Sequence, residues 1–202
     1  LCAVNEQTGQ MDFTTLNPQV LDDISRAKEL ADIVIVCPHW GTEYSSKTSS
    51  YQKKWAEAMT EAGADVIIGT HPHVVEPVEW ITAENGNEAL CYYSLGNYVS
   101  SQKKAISMLE ALAWVTFHVT EDDITIDREH TGALPLVCQY TAGPVRFQNV
   151  YLLEDYTEDL AASHGIRNYG GVTLRLEDLQ KWSTETLGDF VLTKDQVLHN
   201  FK

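Results

Sequence analysis

Apolar positions recur along this chain in two alternating rhythms. Val20, Ile24, Ala27 and Ala31 fall at helical spacing behind Asn17-Pro18, an N-cap residue followed by proline at the first helical position. The continuous apolar run DIVIVC over 32–37 then predicts a strand buried on both faces, as in a parallel sheet. Over 49–62, Tyr51, Trp55, Met59 and Ala62 predict a second helix, closed by Gly63. DVIIG over 65–69 is another buried-type strand. Strand, helix and strand make a βαβ unit whose crossover sets the two strands parallel. Both strands therefore end at one edge of the sheet, and both run into histidine.

Farther on, Asn85-Gly86 marks a hairpin between strands at 81–82 and 89–93. Strands are expected over 112–119, 124–126 and 134–140. A short helix over 157–164 ends at Gly165, and a longer one over 176–187 ends at Gly188. No repeat, low-complexity tract or linker divides the 202 residues, so they are read as one α/β (α+β) domain. Its motif-bearing core is 32–100, and more antiparallel β with short helices fills 101–202.

Composition narrows the function classes. Apolar residues make 44% and charged residues 21% of the chain, which excludes disorder and coiled coil. The net charge of −15 argues against nucleic acid as a partner, because counterion release needs a basic face. It argues equally against anionic lipid surfaces. No apolar run is long enough for a bilayer-spanning helix, and no signal peptide opens the chain. The opening LCAVN has the look of mid-strand sequence, so the chain is expected to be a piece of something longer. Cys2, Cys37, Cys91 and Cys138 form no CxxC pair, which counts against a zinc knuckle. Cys37 and Cys91 are expected as buried thiols, with disulfide formation left open.

The strongest chemical signal is His71-Pro72-His73 on the turn after the second strand, with His39 at the end of its neighbour. Open parallel sheets place ligands beyond the carboxyl ends of their strands, and imidazole is the commonest side-chain ligand for transition metals. His39, His71 and His73 are thus candidate ligands for a divalent ion such as Mn, Zn or Fe. The alternative is that His71 and His73 bond only to loop carbonyls. Glu43 and Glu76 are near enough in sequence to fix an imidazole tautomer, although Glu76 is expected instead as surface charge. Trp40 is either a wall of the site or core. Gly41 is expected at positive φ. Gly96-Asn97 either brings an amide to the site or simply turns the chain. His118 is expected to be half-buried packing, and His164 to sit as a cation at a helix C-terminus. Ser101-Gln102-Lys103-Lys104 is the one small basic spot, read as a solvated loop or as a contact for an anionic substrate. Serine-nucleophile elbows and phosphate loops are absent.

Three segments carry a family resemblance: DIVIVCPHWGTEYS over 32–45, AGADVIIGTHPHVVEPVEWI over 62–81 and YSLGNYVS over 93–100. Together they resemble the capsule-synthesis CapA family, the poly-γ-glutamate synthesis proteins also called PgsA. The stretch 150–165 looks, less specifically, like the C-terminal extension of some members. The resemblance implies a branch of the calcineurin-like metallophosphoesterase fold, a β-sandwich flanked by helices with two metals at the strand ends. It implies His39, His71 and His73 as metal ligands, Glu43 in an HWGxE motif orienting a ligand or water, and Asn97 in a YSLGN motif. It also implies an anionic cell-surface polymer such as poly-γ-glutamate as substrate and other capsule-synthesis proteins as partners. The place of action would be the cell surface, through a membrane tether. The family's opening GD motif and its asparagine–histidine motif have no counterpart before His39. The chain is therefore read as the later part of the family domain, and the resemblance leaves open whether it is a metal-dependent hydrolase or transferase acting on the polymer, a non-catalytic polymer-binding accessory, or a generic metallophosphodiesterase.

Overall fold

The structure, a computed structural model, describes residues 2–4, 11–143 and 148–199, with side chains over 16–143 and 148–198. In chain order the strands and α-helices are β1 (Cys2–Val4), β2 (Met11–Leu16), α1 (Pro18–Lys28), β3 (Ile35–Val36), α2 (Ser50–Glu61), β4 (Val66–Ile68), β5 (Val78–Thr82) and β6 (Glu88–Tyr92). There follow β7 (Leu109–Trp114), β8 (Phe117–Val119), β9 (Ile124–Ile126), β10 (Gly132–Tyr140), β11 (Gln148–Leu152), α3 (Glu158–Ser163), α4 (Leu176–Leu187) and α5 (Lys194–His199).

The βαβ unit forms as its sequence requires. Ser49 caps α2 in a capping box with Gln52, and Gly63 follows the helix at φ 112°. Strands β3 and β4 pair in parallel, and β6 joins β4 in parallel with β5 antiparallel at its outer side, giving the order β3-β4-β6-β5. Asn17 caps α1 by accepting from Gln19 N at 3.0 Å, but the helix stops at Lys28 rather than running on to Ala31.

The pleat of β4 and β6 divides the core. Ile67, Ala89, Cys91 and Tyr93 face α1 and α2, packing with Ile24, Trp55, Ala56 and Met59. Val66, Leu90 and Tyr92 face the other way. They share a cluster with Leu109 and Ala111 of β7, Ala133, Val137 and Tyr140 of β10, and Leu179 and Leu187 of α4. Strands β7, β10 and β11 form a second, antiparallel sheet in the order β11-β10-β7. The chain is thus mixed α/β, two sheets sharing one core, with α1 and α2 against the other face of the first.

Three expectations need correction. The run 32–37 is not buried on both faces. Only Ile35–Val36 is strand, it lies at the sheet edge, Ile35 is 53% exposed, and Cys37 is exposed rather than buried. An apolar run records what a strand tolerates; which strand becomes the edge depends on partners distant in sequence. The single strand expected over 112–119 is two, β7 and β8, and β8 instead pairs with β9, leaving His118 exposed. His164, at the end of α3, is buried rather than a solvated cation. Its Nδ1 accepts from Ile166 N at 2.9 Å and its Nε2 donates to Cys138 O at 2.8 Å. Burial holds its pKa below the usual histidine range, so it stays neutral. Cys37, Cys91 and Cys138 are free thiols, and the side chain of Cys2 lies outside the described residues.

Candidate metal centre

The two parallel strands deliver their histidines to one place. Beyond β3 and β4 the chains stay in register through a parallel bridge between His39 and Thr70. The rings of His39 and His71 lie 4.6 Å apart, and those of His71 and His73 lie 6.3 Å apart. Trp40, next to His39, turns inward. It is buried, and its indole Nε1 donates to Tyr93 O at 2.9 Å, so it is core and the anchor of this edge. Gly69 sits beneath that bond, where a Cβ would collide with both partners. Gly41 takes φ 91°, as its place in the turn predicts.

Backbone conformation singles out the same edge. Among the described residues, the non-glycine positions with positive φ are Tyr44 (62°), His71 (107°), His73 (60°) and Tyr98 (62°), and each flanks or belongs to the histidine cluster. Such conformations cost of order 1–3 kcal/mol each and persist where surrounding structure enforces them. Here Tyr44 N donates to Pro72 O at 2.7 Å, binding the two histidine loops together.

Asn97 does come to the site, on the loop after β6. Its Nδ2 donates to His73 O at 3.1 Å, which orients the amide and leaves Oδ1 as an acceptor 2.6 Å from His73 Nδ1. That network puts the ring proton on Nδ1 and leaves the Nε2 lone pair open. On the Nε2 side, Glu43 Oε1 stands 3.8 Å away, and the Tyr44 ring stacks on His73 at 5.9 Å. Thr70 Oγ1 is 3.3 Å from His39 Nδ1. Burial, and then the neighbouring His39 and His73, hold the His71 imidazole below the usual histidine range, with Glu43 opposing. A neutral imidazole is the form that ligates metal.

Two buried carboxyls lie beneath the site: Glu76, expected from sequence as surface charge rather than as a partner of the site, and Glu110, which sequence reasoning did not single out. Glu76 is not surface charge but fully buried; its Oε2 accepts from Gln52 Nε2 at 2.7 Å and its Oε1 has no partner among the described residues. Burial pushes it up to about 7, with the Gln52 bond opposing. Glu110 of β7 is also fully buried and accepts from Asn97 N; burial pushes it up to about 8. A Cβ at Gly96 would run into this carboxylate, which explains the glycine before Asn97. The available signal was a lone acid inside the apolar run MLEALAW. The basic spot at 103–104 also adjoins the site: Lys104 Nζ lies 3.9 Å over the Tyr44 ring.

The donors suit a divalent transition metal: three imidazoles on one edge, one tautomer fixed by an amide, one carboxylate alongside. With a metal bound they would supply part of a coordination shell. Among the described residues, no three His, Cys, Asp or Glu side chains close into a metal-holding group.

Comparison with known proteins finds relatives over the stretch that carries these residues. The family model described as bacterial capsule synthesis protein PGA_cap matches residues 3–102. The PGA biosynthesis protein CapA of Bacillus subtilis (strain 168) is 49% identical over 79 residues, 39% of this chain and 20% of that protein. The capsule biosynthesis protein CapA of Bacillus anthracis is 38% identical over 129 residues, 61% of this chain and 29% of that protein. The matched stretches thus span less than a third of these relatives. His39, Glu43, His71, His73 and Asn97 all fall inside the family match, so the stretch that carries the histidine edge is the part of the chain similar to the bacterial capsule synthesis protein family.

Proposed function

We propose that this chain is part of a protein of capsule poly-γ-glutamate biosynthesis, and that its histidine edge is a divalent-metal half-site acting on an anionic cell-surface polymer. The observation that carries the reading is the convergence of His39, His71 and His73 beyond two parallel strands. The names of the two relatives supply the pathway.

In this reading His39, His71 and His73 hold Mn, Zn or Fe, and the remaining ligands come from outside the described residues. A bound divalent ion supplies Lewis acidity and a lowered water pKa. Asn97 keeps His73 in the tautomer whose Nε2 is free. Glu43, exposed beside that nitrogen, orients a ligand or accepts a proton from one. The bond attacked would be an amide or phosphoester. The site works at the cell surface beside other capsule-synthesis proteins. Among the described residues, no helix is long and apolar enough to cross a membrane.

A second reading is polymer binding without turnover, and the open donor set favours it. One experiment separates the two. In a bacterium lacking the full-length protein, polymer yield is measured after restoring the wild type or His71→Ala/His73→Ala. The enzymatic reading expects loss of polymer turnover together with loss of bound metal. Metal loss with polymer handling unchanged leaves the accessory reading, and wild-type behaviour of the double variant in both assays sinks the metal site.

A further inference from the structure

Lys103 and Lys104 occupy an unusual position for cations in a chain of net charge −15. Lys28, Lys53, Arg128, Arg175 and Lys194 each pair with a carboxylate. Lys103 and Lys104 do not; among the described residues both ammonium groups rest on aromatic rings. Lys104 Nζ is 3.9 Å from the Tyr44 ring centre, and Lys103 Nζ is 4.9 Å from that of Tyr169. An aromatic face holds a cation in place without neutralising it, so both charges remain available to an incoming anion.

The loop bearing them is fixed to the histidine edge. Tyr44 Oη donates to Gln102 Oε1 at 3.0 Å, and Tyr140 Oη donates to Gln102 O at 3.1 Å. Gln148 Nε2 donates to Ser100 O at 2.9 Å. Tyr44 itself stacks on His73 and, with φ 62°, is held by its bond to Pro72 O. The Tyr44 ring therefore contacts both an imidazole of the candidate metal centre and an unneutralised lysine.

We propose that Lys103 and Lys104 form a carboxylate-binding subsite that seats the free α-carboxylates of a γ-linked glutamyl chain beside the histidine edge. This rests on the polymer reading above and names the residues that would recognise the polymer. A repeating polyanion meets long-range repulsion from an acidic chain, strongest at low salt. Two local cations with no carboxylate partner among the described residues give it a place to bind and fix which part of the polymer faces His73. Tyr44, held in a left-handed conformation, sets the spacing between the two.

The test is binding of a synthetic γ-linked glutamate oligomer to the 202-residue chain, by calorimetry in EDTA and at two salt concentrations. Lys103→Gln/Lys104→Gln is expected to bind about tenfold more weakly, as two lost ion pairs imply, with a shallower salt dependence. Lys103→Arg/Lys104→Arg is expected to bind like the wild type, because arginine keeps both charge and ring contact. Equal affinity of the wild type and the glutamine variant overturns the proposal, and so does a wild type that binds no oligomer. A wild type that takes up no metal but loses oligomer on lysine exchange would defeat the metal reading and leave this subsite standing.

Discussion

Glu76 gives a quantitative handle on the buried carboxyls under the site. It is fully buried, with one oxygen bonded to Gln52 and the other unpartnered among the described residues, and burial raises its pKa from 4.5 to about 7. Between those two values the folded chain keeps the proton while the unfolded chain has released it. The folded state then binds more protons, so stability must fall as pH rises through this window and level off above it. The gap of about 2.5 units corresponds to about 3 kcal/mol at most. Glutamine mimics the protonated form. Urea unfolding of the wild type and Glu76→Gln at pH 5 and pH 8 should therefore show a smaller pH loss in the variant, by about 2.5 kcal/mol, since pH 5 already lies inside the window. Any cost of the new amide nitrogen is the same at both pH values and cancels in this difference. Glu110, raised to about 8 for the same cause, keeps a residual pH dependence of the same sign in both proteins. An identical pH loss in wild type and variant would refute the reasoning, because it would mean that Glu76 ionises at its ordinary value inside the fold.

Other outcomes follow from the same geometry. Asn97→Ala removes the acceptor that fixes His73 Nδ1 and should weaken metal affinity 10- to 100-fold, read by metal titration, while moving His73 toward the other tautomer in nitrogen NMR. Gly69→Ala forces a methyl group into the Trp40–Tyr93 bond and should cost about 2–4 kcal/mol in urea unfolding. His71 should titrate below the ordinary histidine value in proton NMR, since its environment disfavours the cation. Metal binding should accordingly meet less proton competition there as pH falls.

Much of the site was legible because it depends on short-range signals. The spacing of Tyr51, Trp55 and Met59 announces α2, Gly63 its end and Gly188 the end of α4, since periodicity and caps are local chemistry. The βαβ rule then brings His39 to His71 without any further information. What stayed hidden depends on distant partners. The edge position of β3, and hence the exposure of Ile35 and Cys37, is set by which strands pair. Glu76 looks like any surface acid until Gln52 of α2 closes over it. The burial of His164 follows from Cys138 and Ile166, not from the helix end it occupies. Strands β2 and β11 and helix α5 went unread because they are short and carry no clear period.

The central claim, that three of the seven histidines form one metal-ligating edge, is tested most directly by titrating Zn²⁺ or Mn²⁺ into the ¹⁵N-labelled chain while following every imidazole. The account predicts early and selective perturbation of His39, His71 and His73, with His73 responding at Nε2, and loss of the response in His71→Ala/His73→Ala. Uniform perturbation of all the imidazoles, or none at the three, would contradict it.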